Sequence, residues 1–105
     1  MTPEIIRYNI PMSQCDAFID AYAAAGEVLK RSPHCHGFEL IRSAKDSQRF
    51  LLTIHWDSAD GHMQGFRRSA QFREFLALIK SYVPNIEEME HYTFTDVRWS
   101  READG

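Results

Sequence analysis

The chain has 105 residues, 44% hydrophobic, 12% aromatic and 26% charged, which suits one ordinary globular domain and is too short for two. Twelve Lys and Arg against fifteen Asp and Glu leave a formal charge of −3 with no run of like charges, so the clustered positive field of a nucleic-acid binder is excluded. The N-terminus, MTPEIIRYNIPM, carries an early acidic residue and only a short apolar stretch. It reads as neither a secretory leader nor a membrane span, and a cytoplasmic protein is expected.

Such a chain buries about two-thirds of its unfolded surface, enough for a core without disulfides or structural metal. Cys15 and Cys35 stand in unlike contexts and make no disulfide framework.

In chain order, residues 4–10 (EIIRYNI) are β-branched and aromatic and predict a strand, ended by Pro11 for want of an N–H. Ser13 with Asp16 three residues on suggests a weak capping box. After it Cys15, Phe18, Tyr22, Ala25 and Leu29 recur at helical spacing as far as Lys30 and Arg31. Ser32 and Pro33 break that helix. The segment 35–42 (CHGFELIR) alternates, AKDSQ at 44–48 turns, and RFLLTIHW at 49–56 is the most apolar run of the chain. These two strands predict a hairpin. If residues 43 and 49 pair, Phe38, Leu40, Leu52, Ile54 and Trp56 share one face, while Gly37, Glu39, Ile41, Leu51, Thr53 and His55 share the other. Asp57 or Ser58 caps a short helix through Phe66, and Ser69 caps a longer one whose stripe is Phe72, Phe75, Leu76 and Ile79, stopped by Pro84. Residues 86–94 predict a last strand. The domain then spans residues 1–95, with a frayed tail over 96–105 apart from Trp99.

The order β, α, β, β, α, α, β matches the split βαβ plan of an α+β, ferredoxin-like fold: a four-stranded antiparallel sheet with helices on one face. On the other face Ile41 and Leu51 would lie in water with Thr53, a patch a monomer should not leave open. A twofold partner laying its own sheet there gives a homodimer, a dimeric α+β barrel.

The strand ending in Trp56, with Ser58 two residues on and then Ser69, Phe72 and Phe75, resembles the W-x-S and S-x-x-F-x-x-F stretch of antibiotic biosynthesis monooxygenase domains. SPHCHGFEL is similar to their glycine-containing entry into the second strand. The resemblance covers residues 4–94. It implies a dimeric ferredoxin-like fold and, for characterised members, cofactor-independent oxidation of polycyclic phenols or, in a subgroup, oxidative opening of haem. Where many members carry a histidine or tryptophan in the short helix, this chain has Gly65 and Phe66. Residues 75–78 offer no histidine where haem-degrading relatives place their iron ligand, and Asn9 is displaced from the family's first-strand asparagine. Haem is therefore disfavoured as a cofactor.

Several side chains suggest chemistry. His34, Cys35 and His36 are adjacent metal-ligand types, but on a strand only His34 and His36 share a face and further ligands are wanting, so no metal site is expected. Their alternative is a loop whose imidazoles meet solvent or backbone carbonyls. A neutral His55 at the dimer seam or an internal cavity would act as base towards a phenol; alternatively it packs against the partner subunit. His62 and Tyr92 are read as polar positioners. Trp56, Phe66 and Phe72 form the apolar wall for a small aromatic ligand, and Arg67, beside Arg68, holds an anionic group at the pocket mouth. His91 is a further imidazole, and every aromatic named also suits a plain core. The reading is a cofactor-independent, monooxygenase-like enzyme for a small aromatic or quinol substrate, without metal, flavin or nicotinamide. Its rival is a non-catalytic haem or small-ligand binding accessory module.

Overall fold

The computed structural model describes residues 1–101; the last four residues of the expected tail lie outside the described residues. Strand β1 (Thr2–Asn9) leads through a 3-10 turn (Met12–Gln14) into helix α1 (Cys15–Lys30). Strands β2 (Cys35–Arg42) and β3 (Arg49–Trp56) form the predicted hairpin. A π-helical turn (Gly61–Gly65) and a 3-10 turn (Phe66–Arg68) precede helix α2 (Ala70–Ile79), and a 3-10 segment (Lys80–Asn85) delivers strand β4 (Ile86–His91). The sheet order is β2-β3-β1-β4 with every pairing antiparallel, which is the α+β, ferredoxin-like arrangement.

The hairpin register follows the expected pairing, since Ser43 N–H donates to the Arg49 carbonyl at 2.9 Å and Phe38 and Leu40 lie opposite Ile54 and Leu52. A bulge between Cys35 and Gly37 sets Cys35 opposite Trp56, so Cys35 packs against the core while His36 takes up the extra residue.

Four boundaries differ from expectation. Ile10 leaves the strand and gives its N–H to the Gln48 carbonyl at 2.8 Å. No capping box forms at Ser13, which sits inside the 3-10 turn; α1 begins at Cys15 without a side-chain cap. The short helix is π-helical and then 3-10 rather than α, although Ser58 does cap it, its Oγ accepting the Gly61 N–H at 2.8 Å. Strand β4 stops at His91 instead of residue 94. Its neighbour β1 runs out there, with Pro3 offering only a carbonyl, taken by the Tyr92 N–H at 2.8 Å. The expected cap of α2 is present: Ser69 Oγ accepts the Phe72 N–H at 3.3 Å.

Alternation along β1 and β3 aims Ile6, Tyr8, Leu52, Ile54 and Trp56 at the helices, where they meet Phe18 and Leu29 of α1 and Phe75 of α2 in one buried core. Each such side chain contributes about 1.5–3 kcal/mol by leaving water. The opposite face is mixed. Ile5 and Leu51 are half-buried at its centre and Ile41 is 55% exposed, but Arg7–Glu88 (2.6 Å), Arg49–Glu87 (2.8 Å) and His55–Glu39 (3.2 Å) ring them. Among the described residues, no helix is long and apolar enough to cross a membrane.

Candidate functional site

The residues of greatest chemical interest surround a cavity of about 240 Å³ between the helix side of the sheet and α2. Ile6 and Ile54 form its floor, and Trp56, Phe66, Phe72 and Phe75 its aromatic walls. Glu4, His62 and Arg67 make one part of the lining polar, and Tyr8 and Tyr22 another. A second hollow, about 370 Å³, lies on the far side of the sheet beside Arg7, Arg42 and Arg49. It is larger, but all three arginines are exposed; buried ionisable groups gather in the first cavity.

Glu4 faces the helices because it is in phase with Ile6 and Tyr8 on β1, opposite Ile54 on one side and His91 on the other. It is 4% exposed. Trp56 Nε1–H donates to its Oε1 at 3.0 Å. His62, delivered by the π-helical turn and 3% exposed, stacks flat on the Trp56 ring, 4.3 Å between centroids and 3° between planes. Its Nδ1 lies 3.8 Å from Glu4 Oε1 and 2.8 Å from His91 Nε2. Arg67 Nε–H donates to His62 Nε2 at 3.3 Å. Arginine can only donate, so the network assigns His62 the Nδ1–H tautomer, and Nδ1–H is then donated to His91 Nε2.

The electrostatics follow from burial. Desolvation, helped by the positive charge of Arg67 and by the neighbouring His91, lowers the His62 pKa to about 4, so the ring is neutral at neutral pH. Desolvation raises the Glu4 carboxyl above its ordinary value, opposed by the Trp56 hydrogen bond, by the neighbouring His91 and by the charge of Arg67. A buried carboxylate of raised pKa is a better proton acceptor than a solvated one. Glu4, His62 and His91 each offer one donor atom within 4.8 Å of the others, a ligand set of the kind metals use. As arranged, the lone pair of His62 Nε2 faces Arg67 and that of His91 Nε2 accepts from His62, so the two imidazoles are hydrogen-bonded to each other with Glu4 3.8 Å from His62.

Of the residues expected at the site, Trp56, His62, Phe66, Arg67 and Phe72 come together around this cavity. His55 and Tyr92 do not. His55 follows the period-two alternation to the opposite face, where Nε2 sits 3.2 Å from Glu39. Tyr92 lies beyond the end of β4, 39% exposed, and its hydroxyl donates to Glu88. His34 meets neither solvent alone nor a carbonyl: its Nδ1 pairs with Asp57 Oδ2 at 2.9 Å, and its ring fills the space beside Gly65. Glu4, Tyr8 and Tyr22 were not singled out from the sequence. The available signal for Glu4 was an acidic residue in phase with Ile6 and Tyr8 on an otherwise apolar strand face.

A two-layer ferredoxin-like fold with an aromatic cavity between sheet and helices defines a class of small α+β domains, and the comparisons with known proteins fix the family. The family model described as "Antibiotic biosynthesis monooxygenase" matches residues 1–78, and the chain belongs to that family. A Bordetella bronchiseptica protein assigned to the same family has a crystal structure that superposes with a TM-score of 0.78 at 28% identity, over 90% of this chain and 96% of that one. SnoaB of Streptomyces nogalater, a cofactor-independent oxygenase, superposes with a TM-score of 0.72 at 16% identity, over 96% and 97% of the two chains, and shares the fold. The uncharacterized protein YczJ of Bacillus subtilis is 24% identical over 75 residues, 71% of this chain and 79% of its own length.

Proposed function

We propose that this protein is a monooxygenase that acts without a bound cofactor on a small aromatic or quinol substrate held in the sheet–helix cavity. The observation that carries the reading is the buried Glu4 carboxylate, set beside neutral His62 and the Arg67 cation at one part of an aromatic-walled cavity. Glu4 accepts the hydroxyl proton of the substrate, and Arg67 stabilises the resulting phenolate. His62, stacked on Trp56 and bonded to His91, accepts the Arg67 Nε–H and so holds the guanidinium in place.

Excluding water matters because the phenolate is the reductant. It transfers electrons to dioxygen, one oxygen atom enters the substrate, and the other leaves as water with two hydrogens drawn from the substrate, so no external reductant is needed. His55, across the sheet, has no part in this scheme. The functional unit is a homodimer, with the partner's sheet on Ile5, Ile41 and Leu51. Oxygen uptake with a panel of hydroxyarenes should fall at least about a hundredfold in Glu4→Gln; full uptake in that variant contradicts the assignment.

A further inference from the structure

His34 and Asp57 lie outside the lining of the cavity, yet the turn that carries His62 rests on them. His34 precedes β2 and Asp57 follows β3, so the hairpin brings the two together at one end of the sheet. There the main chain fixes both: the His34 N–H donates to Ser32 Oγ at 3.3 Å, and the Asp57 N–H donates to the His34 carbonyl at 2.8 Å. Between the side chains, His34 Nδ1 sits 2.9 Å from Asp57 Oδ2. That bond holds the Asp57 carboxyl below its ordinary value, and an ionised carboxylate only accepts, so Nδ1 carries a hydrogen and donates it.

From Asp57 the hydrogen bonds run on into the turn. Ser58 Oγ donates to Asp57 Oδ1 at 3.4 Å and accepts the Gly61 N–H at 2.8 Å, and the Ser58 carbonyl accepts the His62 N–H at 3.2 Å. The first and last residues of the π-helical turn, Gly61 and Gly65, press directly on the pair: a Cβ would collide with Asp57 Oδ1 at Gly61 and with His34 Nε2 at Gly65. The side chains of His34 and Asp57 are 34% and 36% exposed, and water at such a site leaves an ion pair little to add to stability. What the pair supplies instead is a surface of fixed shape.

We propose that the His34–Asp57 pair is a positioning element, which sets the depth and rotation of the π-helical turn and through it the stack of His62 on Trp56 and the placement of Arg67 against His62 Nε2. The assignment rests on the proposed role of Arg67 in stabilising a phenolate, and adds what keeps the guanidinium in place. Reacting groups held to within a fraction of an ångström depend on such supports, which affect the chemistry without touching the substrate.

The test follows the His62 ring in the full chain. Because it lies flat over the indole, its carbon-bound hydrogens sit in the shielding region of the Trp56 ring current. One imidazole signal in the proton–carbon correlation spectrum should therefore stand upfield of the others and vanish in His62→Gln. In His34→Ala that signal should move back among the exposed imidazoles while the protein still melts cooperatively. Asp57→Asn keeps an oxygen to accept the His34 N–H and should retain it. Gly65→Ala, which lifts the turn off an intact pair, should lose it, and decides the matter if His34→Ala does not fold. The effect on the site is read with 6-hydroxy-1-tetralone, a hydroxyarene whose ionised form absorbs to the red of its neutral form. The pH at which the bound probe ionises should rise by about one unit in either variant, a tenfold loss of phenolate stabilisation. An upfield signal that survives in a folded His34→Ala or in Gly65→Ala, or an unchanged ionisation pH, overturns the proposal and leaves the monooxygenase reading standing. If the parent binds the probe only in its neutral form, that reading falls, and the His62 signal alone decides whether the pair seats the turn.

Discussion

At the scale of single residues, two buried ionisable groups give stability opposite pH dependences. The unfolded chain protonates His62 near its ordinary value of 6.5, whereas the folded chain resists until about 4. A depressed folded value means stability that is present above 6.5 and is lost as pH falls towards 4, about 3 kcal/mol at most. Glu4 runs the other way. Its folded value is raised above 4.5, so its contribution is full below 4.5 and declines as pH rises through the folded value. Asp57, Glu87 and Glu88, held below their ordinary values of 3.8, 4.5 and 4.5 by their partners, lose stability only beneath that range. The stretch from 6.5 down to 4.5 therefore sets His62 against Glu4. Urea unfolding across it should show His62→Gln with a flatter acid limb than the parent, and Glu4→Gln stabilised at neutral pH with the gain vanishing in acid. Unchanged pH slopes in both variants would contradict the burial argument.

At the scale of elements, what was legible followed from periodicity. The β2–β3 register, the two faces of the hairpin and the Ser69 cap of α2 all rest on alternation or on a local cap motif, and each appears as expected. The π-helical turn was not legible. Its form is set by contacts from elsewhere in the chain: a Cβ on Gly61 would come within 1.8 Å of Asp57 Oδ1, and one on Gly65 within 2.3 Å of His34 Nε2. The two glycines let the turn close onto the His34–Asp57 pair, and a π-turn advances its side chains differently from an α-helix. That seating brings the His62 ring flat over Trp56, which no helical wheel would predict.

The same limit hid the site. Trp56, Phe66 and Phe72 were named because aromatic residues stand out in any sequence, and His62 because imidazole does. Glu4 becomes conspicuous only when β1 is seen to be central and its helix side buried. His55 was misleading for a different reason: alternation places it on the face opposite Trp56, as expected, but there it pairs with Glu39, while the buried ionisable groups Glu4 and His62 lie on the helix side.

At the scale of the whole molecule, the open sheet face is the surface on which the proposed homodimer depends. Its ion pairs lie in water, which screens them, so they add little to stability as they stand. Ile5, Ile41 and Leu51 at the centre are what a second copy would cover, and a stable interface of about 800 Å² per partner would also enclose the surrounding pairs. Analytical ultracentrifugation at low micromolar concentration should give a dimer for the parent and a folded monomer for Leu51→Arg, since the charge would be buried at the seam without a partner. A monomeric parent would contradict the dimer and leave the cavity, which lies within one subunit, in place.

The claim on which the account turns is that Glu4 takes a proton from a hydroxyl held in the cavity. The most direct measurement is the ultraviolet absorption of bound 6-hydroxy-1-tetralone under anaerobic conditions, at a pH where the free compound is neutral. The parent should show the red-shifted phenolate band and Glu4→Gln, binding the same compound, the neutral band; a neutral band in the parent, or a phenolate band that survives in Glu4→Gln, would contradict it.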